Sequence, residues 1–365
     1  MNKSILFFIP KLKTGGAENL TIVLANSLVD LGYKVKIIVI SNNIDNAYKV
    51  NKKIEIITLN YNRSIFALFK IISFLLNQDK MICFTSLRHL NLIVILSNLF
   101  TFRKHKVIAI ETNTFSNHKN INKDLFKFYF FSFLTQLLYP FANSVIVPSM
   151  GIVKEIKKYF FLNHKIAYIN NPINIRQIQK LGNDLNIPKI LNNNKKNIVA
   201  LGRLTWEKDY QNLIYSIKYL LKKTDVCLFI IGDGYLKIKL EKLIKELNLQ
   251  SNVYLLGHID NPYVYLKNCD LFVLTSISEG FPTSLLEALV LQPNIISTDC
   301  KYGPSEILEN GKWGKLIPPA NPKILCNEIF NLLNNPVKEV STNRFIKFNK
   351  DIIMPKYIKI INKLK

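Results

Sequence analysis

What this chain lacks narrows its class before any motif is read. Its five cysteines, Cys83, Cys227, Cys269, Cys300 and Cys326, form no C-x-x-C pair. An odd number at wide spacing argues against a disulfide framework or a zinc site and fits a reducing compartment. No apolar run reaches the roughly 18–20 residues that a spanning helix needs. The apolar stretch Ile5 to Pro10 is too short for a signal-peptide core and runs straight into Lys11 and Lys13. The expectation is a cytoplasmic protein whose furthest reach is the inner face of the plasma membrane. A G-x-G-x-x-G dinucleotide fingerprint is missing, as are any D-x-D pair and the motifs of RNA-binding modules.

Acidic residues are scarce: 25 Asp and Glu stand against 49 Lys and Arg, a net charge of +24. Residues 1–170 hold 22 basic and 8 acidic residues (+14), and the remainder 27 and 17 (+10). Such a balance draws a protein to polyanions: nucleic acid, anionic lipid or phosphorylated substrates. It is also what a Lys-, Asn- and Ile-rich composition from an AT-rich genome produces, so charge alone does not choose a partner. The length, 365 residues, is enough for two domains with separate cores.

The most informative stretch is Glu279-Gly280-Phe281-Pro282-Thr283-Ser284-Leu285-Leu286-Glu287-Ala288-Leu289. The apolar run Leu271 to Leu274 before it reads as a buried strand. Leu285 to Leu291 reads as a helix opened by Pro282, with Thr283 and Ser284 as capping hydroxyls. In open α/β sheets ligands bind at such strand-to-helix turns, and a helix N-terminus offers free N–H groups to a phosphate. Glu287 lies about one turn inside the helix and borders the same place from another side. Two carboxylates beside an anion site suit a ligand with both phosphates and hydroxyls, such as a nucleotide-sugar. The residues alone fit equally well a capped amphipathic helix with one surface glutamate.

The spacing of Glu279 and Glu287 resembles the E-x7-E signature of retaining GT-B glycosyltransferases, in the large family 4 of nucleotide-sugar enzymes. The resemblance extends over most of the chain. Thr14-Gly15-Gly16-Ala17-Glu18 lies between an apolar strand, Ser4 to Ile9, and a helix with apolar periodicity, Ala17 to Leu31. It is similar to the family's GGAE segment, whose glycines admit the donor diphosphate or the acceptor. Glu111-Thr112-Asn113 resembles an S-E-x-N segment, and Asn171-Pro172-Ile173 an N-P-[IV] segment. Gly202-Arg203-Leu204 with Lys208 resembles G-R-L-x-x-x-K. By chemistry alone, an Arg and a Lys converging at a strand end can clamp two phosphates and stabilise charge on a leaving diphosphate. Gly232-Asp233-Gly234 is similar to a G-x-G turn, and Gly257-His258-Ile259 to a segment whose backbone meets the nucleobase. Gly303-Pro304-Ser305-Glu306-Ile307 resembles a G-P-x-E-I turn, with Ser305 where Arg is common.

Strands recur with helices between them in both halves, as doubly wound domains require. The resemblance makes this the α/β GT-B fold: two facing Rossmann-like domains with an interdomain cleft. Residues 1–180 are expected to form an acceptor-binding domain and 181–340 a donor-binding domain. Residues 341–365 are expected to form a helical tail returning to the first domain. The Asn-, Lys-, Gly- and Pro-rich stretch 182–197 reads as the linker.

The implied reaction is transfer of a hexose or N-acetylhexosamine from a nucleotide diphosphate sugar, UDP before GDP, with retention. Glu279, Arg203 and Lys208 are the expected catalytic residues: the cations take the diphosphate and Glu279 the donor-sugar hydroxyls. Gly16, Gly202, Gly232, His258, Ile259, Gly280, Phe281, Pro282, Thr283, Ser284 and Leu285 line the expected donor site, with Glu287 on the ribose. Gly15, His89 and Glu111 are the acceptor or sugar candidates, and His118 a weaker one. No metal or other cofactor is expected.

Three segments of the first half set basic beside bulky apolar residues: Arg63 to Leu76, Asn91 to Lys106 and Lys119 to Pro140. Helices of that composition either pack on the sheet with solvated lysines or lie in the headgroup region of an anionic bilayer. They point to a polyprenyl-diphosphate-linked saccharide as acceptor, in bacterial surface polysaccharide such as O-antigen or capsule. The expected partners are thus the donor, that acceptor and an anionic membrane surface, with no nucleic acid. An epimerase or a phosphorylase of the same fold is the alternative. A basic RNA-binding protein would carry the same charge but needs no paired glutamates.

Overall fold

The computed structural model describes residues 4–13, 15–45, 49–112, 114, 125–159, 165–191 and 194–365. Thr14, Asn113, His118 and the lysines Lys119 and Lys123 lie outside the described residues. The chain divides into two units, Met1–Pro172 with Lys350–Lys365, and Ile173–Asn349.

The first unit runs β1 (Ser4–Ile9), α1 (Gly16–Asp30), β2 (Lys34–Val39), β3 (Glu55–Thr58), α2 (Leu68–Leu76), β4 (Ile82–Ser86) and α3 (Arg88–Phe100). It continues through β5 (Lys106–Ile110), α4 (Leu125–Leu138), β6 (Ser144–Val147), α5 (Met150–Tyr159) and β7 (Ile166–Tyr168). Its seven strands lie in the order β3-β2-β1-β4-β5-β6-β7, all neighbours parallel. A parallel sheet is covered by helices on both faces, so its strands read as apolar runs. The wholly buried β4, ICFTS, and β6, SVIV, show it.

The second unit runs α6 (Ile175–Gly182), β8 (Lys196–Leu201), α7 (Tyr210–Leu220), β9 (Val226–Ile231), α8 (Lys237–Glu246), β10 (Val253–Gly257) and α9 (Tyr263–Asn268). Then follow β11 (Leu271–Leu274), α10 (Thr283–Leu291), β12 (Ile295–Thr298), the short α11 (Pro304–Ile307), β13 (Lys315–Ile317) and α12 (Pro322–Asn334). The six strands lie in the order β10-β9-β8-β11-β12-β13, again all parallel. In each sheet the order reverses once, between β1 and β4 and between β8 and β11. Helices leave opposite faces at such a point, which opens a crevice at the carboxyl ends of the two strands.

The boundary differs from the one read in the sequence. The second unit begins at Ile173, not after residue 180, because α6 docks inside it: Ile175 and Ile178 are buried in its core. A Cβ on Gly182 would meet Leu291 Cδ2 at 2.9 Å. Residues 182–197 are therefore not the link between units; Leu191 is buried and its carbonyl accepts from Asn197 Nδ2 at 2.9 Å. The tail also divides. Phe345 and Phe348 belong to the core of the second unit, and the Ile173 N–H donates to the Phe348 carbonyl at 2.9 Å. The final helix, α13 (Lys350–Leu364), places Ile353, Met354, Tyr357 and Ile361 in the core of the first unit.

Candidate functional site

The site of the second unit is built at its reversal point. Strand β8 ends at Leu201 and leads through Gly202, Arg203 and Leu204 into a single turn, Trp206–Lys208. Strand β11 ends at Leu274 and leads through Thr275 to Glu279 into α10. The two loops are tied together by their backbones. Ile277 N–H donates to the Glu207 carbonyl at 2.8 Å, and Thr275 Oγ1 to the Lys208 carbonyl at 2.7 Å. Thr298 Oγ1 donates to the Ser276 carbonyl at 2.5 Å from the end of β12.

On this frame Lys208 Nζ meets Glu279 Oε1 at 2.5 Å, with Ser276 Oγ donating to the same oxygen at 2.6 Å. Their side chains are 15% and 12% exposed. Both bonds fall on Oε1, and no bond to Oε2 occurs among the described residues. Beneath lie Tyr210 and Cys300. Burial, and then the Glu279 carboxylate, push the Tyr210 hydroxyl far above its ordinary pKa. Burial and Glu279 push the Cys300 thiol up to about 12, with Lys208 acting the other way. Arg203 is exposed and has no carboxylate partner among the described residues. The structure thus brings together Lys208, Glu279 and the Gly202 loop: a Cβ on Gly202 would lie 3.0 Å from both Lys208 Cε and Tyr210 Oη.

Asp209 follows Lys208 in a left-handed conformation (φ 47°, ψ 47°) and caps α7 by accepting from Asn212 N–H at 3.4 Å. Burial raises its carboxyl from the ordinary 3.8 to about 6, against the opposing pull of that bond. Glu287, on the buried side of α10, accepts from the Tyr263 hydroxyl at 3.1 Å. Burial first, and Glu287 second, raise that hydroxyl well above its usual pKa.

Several expected donor contacts are restricted by packing. Phe281 is buried and packs edge-on against Phe348, ring centroids 5.8 Å apart, and Leu285 is fully buried. Their side chains serve the core, which leaves only backbone groups to a ligand. Pro282 occupies the N-cap position and no side chain caps α10. Thr283 and Ser284 are inside its first turn rather than capping it. Gly232 is required by its own unit: at φ 137°, a Cβ there would sit 2.1 Å from the Gly202 carbonyl oxygen. It lets the β8 and β9 loops touch, and Leu204 N–H donates to the Asp233 carbonyl across that contact at 2.9 Å. Gly280 lies in the loop backed by Gly303, whose Cβ would meet the Gly280 carbonyl oxygen at 3.0 Å. His258 is exposed and pairs with Asp260 at 3.2 Å, while Ile259 packs partly against the core.

The first unit holds a different cluster at the ends of β4 and β5. Glu111 takes Arg88 at both oxygens, Nη2 to Oε1 at 3.1 Å and Nε to Oε2 at 3.2 Å. Tyr139 Oη donates to Oε2 at 2.6 Å, and Asn91 Nδ2 donates to Tyr139 Oη at 3.1 Å. Burial lowers the Arg88 pKa, but Glu111 and Tyr139 raise it by more, so the guanidinium stays charged. Glu111 is 1% exposed. Glu111, expected as an acceptor or sugar contact, stands here inside an enclosed pair with Arg88 and Tyr139. His89 stands at the rim of this cluster. Its ring reaches solvent, yet surrounding protein lowers its pKa by desolvation, against a raise from Glu111. In the β1–α1 turn Gly16 is exposed, and Gly15 leaves room for Glu18 to fold back, since a Cβ there would lie 2.3 Å from Glu18 Oε2. Sequence reasoning passed over Tyr139, Tyr263, Ser276 and Asp209; Asp209 alone had a local signal, as a cap residue before an apolar-periodic run.

Comparison with known proteins agrees with this architecture. Residues 14–177 match the family model described as Glycosyltransferase Family 4, and residues 183–351 that described as Glycosyl transferases group 1. An uncharacterised glycosyltransferase of Methanocaldococcus jannaschii, MJ1059, is 38% identical over 52% of this chain and 51% of its own. The chain is thus aligned with about half the length of that relative. The N-acetylgalactosamine-N,N'-diacetylbacillosaminyl-diphospho-undecaprenol 4-alpha-N-acetylgalactosaminyltransferase of Campylobacter jejuni is 29% identical over 90% of this chain and 89% of its own. The crystal structure of Anabaena HepE in complex with UDP superposes with a TM-score of 0.75 at 17% identity, covering 99% of this chain and 100% of that one. Two parallel Rossmann-like sheets and these matches together make the chain a glycosyltransferase of the GT-B fold.

Proposed function

We propose that the chain transfers a sugar from a UDP-sugar, with retention, to a saccharide linked to a polyprenyl diphosphate in the assembly of a bacterial surface glycan such as O-antigen or capsule. The observation that carries this reading is the Lys208–Glu279 pair at the reversal point of the second sheet. A donor diphosphate carries more charge than a carboxylate and exchanges with Glu279 as the partner of Lys208. Glu279 then accepts hydroxyls of the donor sugar. Arg203, exposed and five residues before Lys208, adds a second cation. Glu287 takes the ribose, and backbone N–H groups at the start of α10 add positive potential near the phosphates.

In the reaction the bond between the anomeric carbon and the diphosphate oxygen breaks. The acceptor oxygen bonds to the same face of that carbon, and its proton passes to the leaving phosphate. Lys208 and Arg203 stabilise the developing negative charge. No enzyme nucleophile and no metal enter this scheme. The Campylobacter relative, named for an undecaprenol-linked acceptor, and HepE, solved with UDP, support the choice of acceptor and base. No helix among the described residues is long and apolar enough to cross a membrane. Such an acceptor places the work at the cytoplasmic surface of the membrane, with the protein attached peripherally.

The test is UDP release from UDP-hexoses and UDP-N-acetylhexosamines, with and without a lipid-linked acceptor, in the presence of EDTA. Wild type releases UDP in step with acceptor glycosylation, and Glu279→Gln abolishes it. Turnover near the wild-type level in that variant rejects the assignment. Dependence on added metal rejects the metal-free scheme.

A further inference from the structure

We propose that the outer face formed by α2, the end of α3 and α4 of the first unit is where the protein docks on an anionic lipid bilayer. The proposal deepens the membrane reading above by naming the docking face, and it is tested apart from catalysis. Twelve of the 26 large apolar side chains exposed among the described residues fall between Ile65 and Phe141, a span of 77 of the 365 residues. They are not scattered. On α4, Tyr129, Phe133 and Leu137 follow one another at i, i+4 and i+8, so they form one stripe; it is 61%, 60% and 53% exposed. The buried positions of that helix include Thr135. The same helix buries Leu138 as well, so it is apolar on its inward side and carries a second, aromatic stripe on the side that faces solvent. Helix α2 and the turn before it are likewise apolar on both sides: Ala67, Ile71 and Leu75 are buried, while Phe66 and Phe69 are 62% and 81% exposed. Helices α2 and α4 both pack against α3, and just beyond the end of α3 stands Phe102, 95% exposed. The apolar groups therefore gather on one side of the sheet.

Charge selects the occupant. Residues 63–141 carry ten Lys and Arg against three Asp and Glu, and the Arg88–Glu111 pair cancels internally. Arg63, Lys70, Arg103 and Lys104 are exposed among the aromatic residues. The Arg103 guanidinium lies 5.8 Å from the centroid of the Phe141 ring. Aromatic rings with interleaved cations suit the boundary between acyl chains and anionic headgroups, where the ring sinks and the cation stays at the phosphate. A second copy of the same face would set like charges against like, and the cores of protein interfaces are depleted in lysine.

The experiment is co-sedimentation of the full chain with vesicles of phosphatidylcholine alone and of phosphatidylcholine mixed with phosphatidylglycerol. Wild type partitions onto the mixed vesicles about tenfold more strongly than onto neutral ones, and added salt weakens it. Phe69→Asp with Phe133→Asp lowers that partition by about tenfold or more, as does Arg103→Glu with Lys104→Glu. The substituted side chains are exposed, so melting temperature and UDP binding stay at wild-type values; those readouts show that the chain is folded and leave the transferase reading to its own test. Three results overturn the proposal: no sedimentation of wild type with anionic vesicles, undiminished binding by both variants, or a wild-type dimer in sedimentation velocity that the Phe69 and Phe133 substitutions split.

Discussion

Each unit holds a glutamate paired with a cation at the carboxyl end of its parallel sheet, and the two pairs are built differently. Arg88 holds Glu111 by a hydrogen bond from Nε to Oε2 and an ion contact of Nη2 with Oε1, Tyr139 donates to Oε2 as well, and the side chains are 7% and 2% exposed. Lys208 meets Glu279 at one oxygen through a flexible ammonium, with the side chains about twice as open or more. A guanidinium enclosed with its carboxylate and a buried tyrosine has no water to exchange with, whereas a partly open ammonium is a point charge that changes partner easily. The first pair holds β4, β5 and α3 in place, and the second is poised to be exchanged for a ligand. Two Glu–cation pairs at corresponding sheet ends need not share a role; enclosure separates them.

The comparison breaks most readily at the first pair. Arg88→Met leaves Glu111 charged and buried without its partner, a change that typically costs about 3–5 kcal/mol of stability. Denaturant unfolding reads this as a lower midpoint, and a variant as stable as wild type removes the structural role given to the pair. Lys208→Ala, by contrast, should lower kcat by about 10²–10³-fold, as loss of a group that stabilises transition-state charge does. Its melting temperature should stay near wild type, because the side chain is partly open. A stability loss as large as that of Arg88→Met would make the two pairs equivalent.

A smaller effect sharpens the account of the loop that carries Lys208. Burial raises the Asp209 carboxyl from 3.8 to about 6, so the folded chain keeps a proton there that the unfolded chain has lost. Folded stability therefore falls as pH rises from about 4 to about 6 and is level above. Asp209→Asn retains a good helix cap and removes the titration. The variant should gain in melting temperature relative to wild type across that window and hold the gain at higher pH. A difference that is constant from pH 4 to pH 7 removes Asp209 as the titrating group.

Much of this was legible in the sequence because parallel strands are buried on both faces. Val226–Ile231 is apolar at every position and wholly buried, so its run stands out. β13, Lys315–Ile317, escaped because three residues with one fully buried side chain leave no pattern. The unit boundary was misplaced because Asn, Lys and Pro after residue 182 have the composition of a linker, while the docking of α6 depends on Leu291 and Tyr263, far along the chain. The site was legible only in part. Glu279 and Lys208 are 71 residues apart, and only the resemblance of their motifs joined them. Tyr139 is 28 residues from Glu111 and belongs to no motif, so nothing local marked it as the group that encloses the first pair. Phe281 sits inside the motif yet packs on Phe348, so this position of the motif serves the core with its side chain.

Calorimetric titration of UDP into wild type, Lys208→Ala and Arg88→Met separates the two pairs most directly. Wild type and any folded Arg88→Met should bind UDP with similar affinity, and Lys208→Ala should bind it about tenfold or more weakly, the loss expected when a charged phosphate contact is removed. Unchanged UDP affinity in Lys208→Ala would contradict the claim that the Lys208–Glu279 pair opens to receive the donor diphosphate.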